Sequence, residues 1–266
     1  ASDVYKRQAF DYTMVLGANF AADWSEPNDF VNIAKLSGSD GFEDAWHNKG
    51  LYYYMINGNQ PTIEAGMLMA TISGFGRDDE DGNGFYVPTV SSREGWLGVN
   101  APTATKNSGY DANRGTSDLS VVWVPRGAGY NWGDVRETGV MYVNATYGNC
   151  YEGSVPTIQE YQSTQGRWKY VFNDFTPADG VLFTMSRTDA SGITASRPLA
   201  DGWEVTQRSN HADDTFYVNH WVRYLFMEYD NDKGNIVASV SAAGSRLAGS
   251  TDVSVIKEGT GTYRVS

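Results

Sequence analysis

The chain has 266 residues, a formal net charge of −12, 41% hydrophobic residues and 29 glycines. This composition can build a hydrophobic core and argues against a disordered chain. The negative charge opposes binding to nucleic acids and to anionic membranes, because both need a basic surface. The single cysteine, Cys150, excludes an intrachain disulfide. No apolar run approaches the roughly 20 residues of a membrane-spanning helix.

The two ends of the sequence suggest a fragment. Residues 1–8 look like translated adapter sequence, and we set them aside as an artefactual leader. The chain does not begin with Met, and its last residue lies within a predicted strand. We therefore expect these residues to be part of a longer chain built from several units.

Helix signals are few in this sequence. Asn28 or Asp29 can cap a helix of one or two turns that ends near Leu36. An edge strand fits residues 28–36 equally well. High contents of Gly and of aromatic residues favour strands and turns for most of the chain.

Residues 79–84, with the sequence Asp-Glu-Asp-Gly-Asn-Gly, carry the sharpest chemical motif. Asp79, Asp81 and Asn83 place oxygen ligands at positions 1, 3 and 5 of a calcium loop, and Gly follows at position 6. Position 12, which is a bidentate acid in the helix-type loop, is Val90 here, so the match is incomplete. The motif predicts a calcium site; the alternative is an acidic hairpin tip kept soluble by its charge.

Residues 127–134 form a glycine-rich loop with two aromatic side chains. Tyr130 and Trp132 would stack on sugar rings if their faces were exposed, and Asn131 would hydrogen-bond to hydroxyl groups. This pattern predicts a carbohydrate site. The alternative is a loop whose aromatic rings fold back over a sheet edge or fill an interface between units.

Residues 166–183 predict a strand, a turn and a second strand. Trp168, Tyr170 and Phe172 alternate with other residues at the period of a half-buried strand. The turn sequence Thr-Pro-Ala-Asp-Gly ends at Gly180, where Gly can adopt a positive φ. The same order of features begins at residue 50 and again, incompletely, at residue 261.

Internal repeats organise the chain. At a constant offset of 95 residues, glycines match glycines and apolar residues match apolar residues: Gly139/Gly234, Ile158/Val253, Tyr161/Ile256, Gly166/Gly261, Trp168/Tyr263 and Tyr170/Val265. An earlier, more diverged copy places Gly50 116 residues before Gly166, and Gly66 114 residues before Gly180.

The repeats predict two units and part of a third. The first unit comprises residues 9–134 and the second comprises residues 135–232. Residues 233–266 are either the truncated start of a third unit or extra strands of the second. Short strands separated by Gly, Asp, Asn and Pro turns are typical of β-sandwiches. The expected fold is therefore all-β, with tandem antiparallel β-sandwich units.

A set of glycines and aromatic or apolar residues recurs in one order. In the second unit these are Gly166, Trp168, Tyr170, Asp179, Gly180, Gly202, Trp203 and Val205; in the first they are Gly50, Tyr52, Tyr54, Gly66, Gly95 and Trp96. This order resembles β-sandwich modules that are repeated in large secreted bacterial proteins and occur at phage tail-fibre tips, broadly similar to H-type lectin sandwiches. The resemblance implies extracellular or cell-surface display in bacteria or phage, and often adhesion. It implies no catalytic residues.

The sequence offers no catalytic constellation. Its histidines are His47, His211 and His220, and only His211 has acids beside it, without a third well-spaced nitrogen or sulfur ligand. No nucleophile elbow, phosphate loop or dinucleotide fingerprint occurs. With 32 acidic residues, local carboxylate pairs are expected by chance. We therefore do not expect an enzyme.

These features predict a non-enzymatic extracellular protein that acts in adhesion, in surface display or as a structural repeat. Repeated weak sites would act through avidity. The alternative is a carbohydrate-binding module of a larger secreted, polysaccharide-active enzyme, with Tyr130 and Trp132 as its stacking platform. Glycans or cell-surface polysaccharides are the expected partners, and calcium is the one cofactor that the sequence suggests.

Overall fold

A computed structural model describes residues 16–21, 31–32, 34–40, 42–48, 51–56, 65–72, 89–93, 96–100, 119–136, 147–162, 166–186, 192–209, 221–229, 237–250, 253–260 and 262–266. Within these residues the regular secondary structure consists of β-strands alone, and every pairing is antiparallel. The all-β prediction is confirmed. The same residues contain no helix long and apolar enough to cross a membrane.

Nine strands form what we call the first set: β1 Leu16–Ala21, β2 Val31–Asn32, β3 Ala34–Gly38, β4 Phe42–Asn48, β5 Leu51–Ile56, β6 Gly66–Ile72, β7 Thr89–Arg93, β8 Trp96–Asn100 and β9 Leu119–Pro125. Residues 31–32 and 34–38 are thus strands, and the strand alternative for this stretch is the correct one. A strand suits its short, interrupted apolar pattern better than a helix, which needs several turns to bury one face.

Eight strands form the second set: β10 Asn131–Arg136, β11 Tyr147–Glu152, β12 Thr157–Gln162, β13 Arg167–Val171, β14 Gly180–Ser186, β15 Gly192–Pro198, β16 Trp203–Ser209 and β17 Trp221–Glu228. Four more, the C-terminal strands, are β18 Ala238–Val240, β19 Arg246–Gly249, β20 Val255–Gly259 and β21 Thr262–Val265.

The two sets have the same strand order. The first set forms sheets β3-β1-β9-β6 and β4-β5-β8-β7, with β2 added beside β4. The second set forms sheets β11-β10-β17-β14 and β12-β13-β16-β15. The order therefore repeats strand for strand, apart from β2. The C-terminal strands form two hairpins, β18-β19 and β20-β21, which correspond to the first four strands of the second set.

A bulge with a glycine marks the first strand pair of each set and of the C-terminal strands. The pairs β1-β3, β10-β11 and β18-β19 each shift register by one residue. In each pair the second strand carries one extra residue. Two residues later comes a glycine with positive φ, either at the end of the strand or directly after it; these glycines are Gly38, Gly153 and Gly249. Only glycine adopts this conformation without strain. A serine follows in all three cases.

The predicted strand, turn and strand of residues 166–183 are confirmed as β13, a turn and β14. Asp179 Oδ2 accepts hydrogen bonds from the Thr176 amide and hydroxyl at 2.7 and 2.9 Å. The turn carries the chain from one second-set sheet to the other. Gly180 does not use the positive φ that glycine allows. Glycine is required there because a Cβ would overlap the Met227 carbonyl oxygen and the Phe226 ring.

One hydrophobic cluster among the described residues draws side chains from both second-set sheets. Its members are Val135, Trp168, Tyr170, Phe172, Phe175, Leu182, Trp203, Val205, Val222, Tyr224 and Phe226. Phe175, from the turn, stacks on Phe226 with ring centroids 3.7 Å apart. Burial of each such side chain contributes about 1.5–3 kcal/mol, so this cluster stabilises the second set substantially.

The hairpins β12-β13 and β20-β21 pair in the same register. Ile158 lies opposite Tyr170, and Val255 lies opposite Val265. Both hairpins carry a one-residue bulge at the equivalent place, after Glu160 and after Lys257. The C-terminal hairpin is therefore a third example of the hairpin that sits in the second set.

The repeat offset of 95 residues holds for the second strand of this hairpin and is wrong for the first. Ile158 corresponds to Val255 rather than Val253, an offset of 97, and Tyr161 accordingly corresponds to Glu258. The reason is loop length: four residues connect β12 to β13, whereas two connect β20 to β21.

Candidate functional site

Residues 127–130 of the predicted carbohydrate loop connect β9 to β10 and therefore join the first set to the second, whereas residues 131–134 are part of strand β10. The glycines Gly127 and Gly129 of this connection have φ values of 89° and 75°. The backbone amides of both glycines point toward the same carboxylate, Glu152. Glycine at both positions is what allows the chain to leave β9 and enter β10 within five residues.

A single carboxylate holds this loop. Glu152, at the end of β11, accepts hydrogen bonds from the backbone amides of Gly127 at 3.0 Å and Gly129 at 2.6 Å. Its Oε2 atom also accepts from the indole Nε1 of Trp132 at 3.3 Å. Hydrogen bonds to a charged acceptor are among the stronger ones in proteins. The loop is thus fixed to the adjoining strand by three donors.

The aromatic residues of the loop are buried. Tyr130 is 5% exposed and Trp132 is 0% exposed. They pack with Met67, Val124 and Leu225, which come from both sets. A sugar-stacking platform needs ring faces open to solvent. In this conformation the rings instead occupy the packing position that the alternative described, and neither offers a face to a ligand.

Asn131 is engaged with the protein backbone. Its Oδ1 accepts a hydrogen bond from the Ser154 amide at 3.3 Å. Gly153 lies so close that a Cβ there would overlap the Asn131 side chain. Both residues sit beside the β10-β11 bulge. The side-chain oxygen that would have faced a sugar hydroxyl therefore stabilises the bulge.

A buried ion pair lies two residues beyond Trp132. Asp134 on β10 and Arg223 on β17 are register partners, and both are 0% exposed. Arg223 Nε donates to Asp134 Oδ1 at 2.8 Å, and Nη2 donates to Oδ2 at 3.2 Å. This pair is not evident in the sequence, because 89 residues separate its members. The sequence does contain one indication of it: Arg223 lies within an apolar stretch that has the pattern of a buried strand.

The predicted calcium ligands Asp79, Asp81 and Asn83 lie outside the described residues, and the calcium site stays a prediction. Within the described ranges, no group of three or more His, Cys, Asp or Glu side chains could hold a metal ion. His47 lies on β4, while His211 and His220 are outside the described part of the chain.

An exposed ion pair lies on the outside of the second set. Lys169 Nζ donates to Asp201 Oδ2 at 2.7 Å. This hydrogen bond, with the charge of Lys169, holds the pKa of Asp201 below its ordinary value of 3.8. On β15 and β16, Arg197 is paired with Glu204 at 2.9 Å. Lys169 and Glu204 are themselves register partners on β13 and β16.

Exposed apolar side chains concentrate in the C-terminal strands. Of eight large hydrophobic residues exposed in the described chain, five lie there: Val240, Leu247, Ile256, Tyr263 and Val265. Tyr263 is 36% exposed and Val265 is 62% exposed, whereas their second-set equivalents, Trp168 and Tyr170, are 7% and 0% exposed. Among the described residues, exposed apolar surface is therefore concentrated in the two C-terminal hairpins and not in the segment 127–134.

Comparison with known proteins identifies no relative. No protein-family profile, no curated protein sequence and no solved structure matches the chain.

Proposed function

We propose that the chain is a non-enzymatic structural or display segment of an extracellular protein, built from tandem β-sandwich units. The observation that carries the proposal is that a set of aromatic side chains packs in the interior and is not displayed on the surface. The aromatic side chains that the structure describes in β13, β16, β17 and residues 127–134 are packing residues: Trp168, Tyr170, Trp203, Tyr224, Phe226, Tyr130 and Trp132. A binding module would keep some of them on its loops with open faces.

The repeated strand order supports a repeat protein. In such proteins each unit contacts mainly its neighbours, and the array holds a fixed spacing between whatever lies at its ends. The clusters that draw on two sheets are consistent with two-layer units. Adhesion would then come from other residues of the array, through the effective concentration of repeated sites.

The connector between the sets also fits a structural role. Glu152 fixes the loop through three donors, and Trp132 packs against both sets. A connector held in this way adds little free length between units. Such a junction suits a protein whose task is to hold a distance.

Single-molecule force spectroscopy on residues 9–266 tests the proposal. Two tandem units of about 100–125 residues should unfold in separate steps, each lengthening the chain by about 30–45 nm, because an extended residue spans up to about 3.6 Å. One step that releases both sets together, or a gradual extension without steps, would overturn the tandem structural reading.

A panel of soluble polysaccharides and glycans separates this proposal from the carbohydrate-binding alternative. We expect no saturable binding by the folded chain, with or without calcium. Saturable binding would favour the binding module instead. A parallel calcium titration by calorimetry, with Asp81→Asn as the matched variant, tests the predicted ligands Asp79, Asp81 and Asn83: heat in the wild-type chain that the variant loses would establish the site.

A further inference from the structure

We propose that the second set encloses a binding site for ordered water between its two sheets, formed by the side-chain amide of Gln207 and the indole Nε1 of Trp168. The ligand class is a neutral molecule that both donates and accepts hydrogen bonds, and water is the smallest such molecule. This inference goes beyond the structural function proposed above and does not depend on it, because it rests on the interior of the second set alone.

Gln207 is a buried polar residue whose side chain lacks a hydrogen-bond partner. It lies on β16 and is 0% exposed. Among the residues that the structure describes, neither its Oε1 atom nor its Nε2 atom is hydrogen-bonded. Burial of an amide without hydrogen bonds is unfavourable. Most buried polar side-chain atoms in proteins have a partner, which is either the protein or an ordered water.

Trp168 places a second group of this kind beside Gln207. The Gln207 amide N donates to Gly166 O at 2.8 Å, so Gln207 lies opposite Gly166 in the register of β13 with β16. Trp168 lies two residues further along, opposite Val205. Its buried Nε1 atom has no hydrogen-bond partner in the described part of the chain. Diagonal neighbours on one face are within reach of aromatic and long side chains, so Trp168 and Gln207 can bind the same water.

Both side chains point into the layer between the sheets. Trp203, Val205 and Gln207 occupy alternate positions of β16 and therefore share one face. Trp203, Val205 and Trp168 belong to the cluster that joins the two second-set sheets. Gly166, opposite Gln207, contributes no side chain to this layer. The sheet thus combines polar partners with room for a small molecule, and a buried water needs both.

The three polar atoms match the chemistry of water. The indole Nε1 and the amide Nε2 donate, and the amide Oε1 accepts. One water accepts from Trp168 and donates to Gln207 Oε1, and a second accepts from Gln207 Nε2. All three atoms are uncharged, so they offer no counter-charge to a desolvated ion. Exposure of 0% at Gln207 and 7% at Trp168 opposes a larger ligand.

Nuclear Overhauser spectroscopy between water and the full chain tests the site. The indole proton of Trp168, assigned with Trp168→Phe, should show a cross-peak with the sign of a tightly bound water, and rotating-frame spectra separate this contact from proton exchange. The indole of Trp132 is the matched control, because it is also buried and donates to Glu152 at 3.3 Å. We expect no water cross-peak there.

Gln207→Met keeps an unbranched side chain of similar size and removes the amide. It should abolish the water cross-peak of Trp168. It should also lower the urea midpoint, because the buried indole Nε1 is then left without a partner.

Three results would overturn the proposal. The first is the absence of a water cross-peak at the Trp168 indole proton, or one no stronger than at Trp132. The second is a cross-peak that persists in Gln207→Met. The third is a urea midpoint that rises in Gln207→Met, because removal of an amide that no water satisfies would stabilise the chain.

Discussion

The hairpins β12-β13 and β20-β21 pair in the same register, with the same bulge, and yet differ in burial. The apolar face of the first is covered by the rest of the second set, so that Tyr170 is 0% exposed. Its equivalent in the second hairpin, Val265, is 62% exposed. Hairpin geometry is therefore a local property, set by strand pattern and turn, whereas burial depends on strands that arrive from elsewhere. Paired substitutions at equivalent positions can measure that difference.

The largest expected contrast is between Trp168→Ala and Tyr263→Ala. Trp168 lies in the cluster that joins the two second-set sheets, and its removal should lower the free energy of unfolding by about 3–5 kcal/mol. Tyr263 is 36% exposed and donates one hydrogen bond, from its hydroxyl to the Ala242 carbonyl oxygen at 2.8 Å, so its removal should cost only about 1 kcal/mol. Urea denaturation followed by circular dichroism measures both. Equal losses would mean that the C-terminal hairpin is covered in solution.

The second contrast is between two ion pairs. Asp134→Ala leaves Arg223 charged and buried, which should cost about 3 kcal/mol in the same assay. Glu258→Ala removes a surface pair and should cost less than about 1 kcal/mol. The double variant Asp134→Leu with Arg223→Met is the control. If the double variant were no more stable than Asp134→Ala, loss of packing rather than an uncompensated charge would explain the effect.

The third contrast concerns two glycines. Gly180→Ala should destabilise the chain by about 1–3 kcal/mol, because the added methyl group overlaps the Met227 carbonyl oxygen and the Phe226 ring. Gly259→Ala meets only the Thr262 side chain, at 3.9 Å, and should change stability by less than about 0.5 kcal/mol. A tolerated Gly180→Ala would show that β14 and β17 can separate at this end.

The smallest effect is expected at Asp201. Its pKa is lowered in the folded chain by Lys169, so its contribution to stability is present above pH 3.8 and is lost as the pH falls through the lowered value. Asp201→Asn should therefore reduce the urea midpoint slightly at pH 7 and not at all in stronger acid. A reduction that is the same at every pH would show that the carboxylate charge is not its cause.

Much of the local structure could be predicted from the sequence, because it depends on short-range pattern. The alternation around Trp168 and the turn before Gly180 fall where the sequence places them. The repeat was also visible, although the different loop lengths of the two hairpins hid the true equivalents of Ile158 and Tyr161. A constant offset between two copies matches the wrong residues on one side of a loop whose length differs by two residues.

The candidate site was less predictable, because exposure is decided by distant residues. The pattern at Tyr130 and Trp132 is the same whether the rings face solvent or a core. Burial follows from Met67 and Leu225, which lie far away in the sequence. Glu152 and Arg223 were missed for the same reason: each meets its partner only after the sheets have formed.

The bulge glycines mark equivalent positions in the repeats of the sequence. Gly38, Gly153 and Gly249 have positive φ at one equivalent place, while most of the side chains around them differ. A backbone requirement that only glycine meets leaves fewer substitutes than a preference for an apolar side chain. Further copies of the repeat are therefore better found by a pattern built on these glycines than by the positions of tryptophans. The pattern is an apolar or aromatic residue, any residue, Gly and Ser, followed further along by Gly-x-aromatic. An alignment of the repeats on this pattern would match equivalent residues even where the loops differ in length.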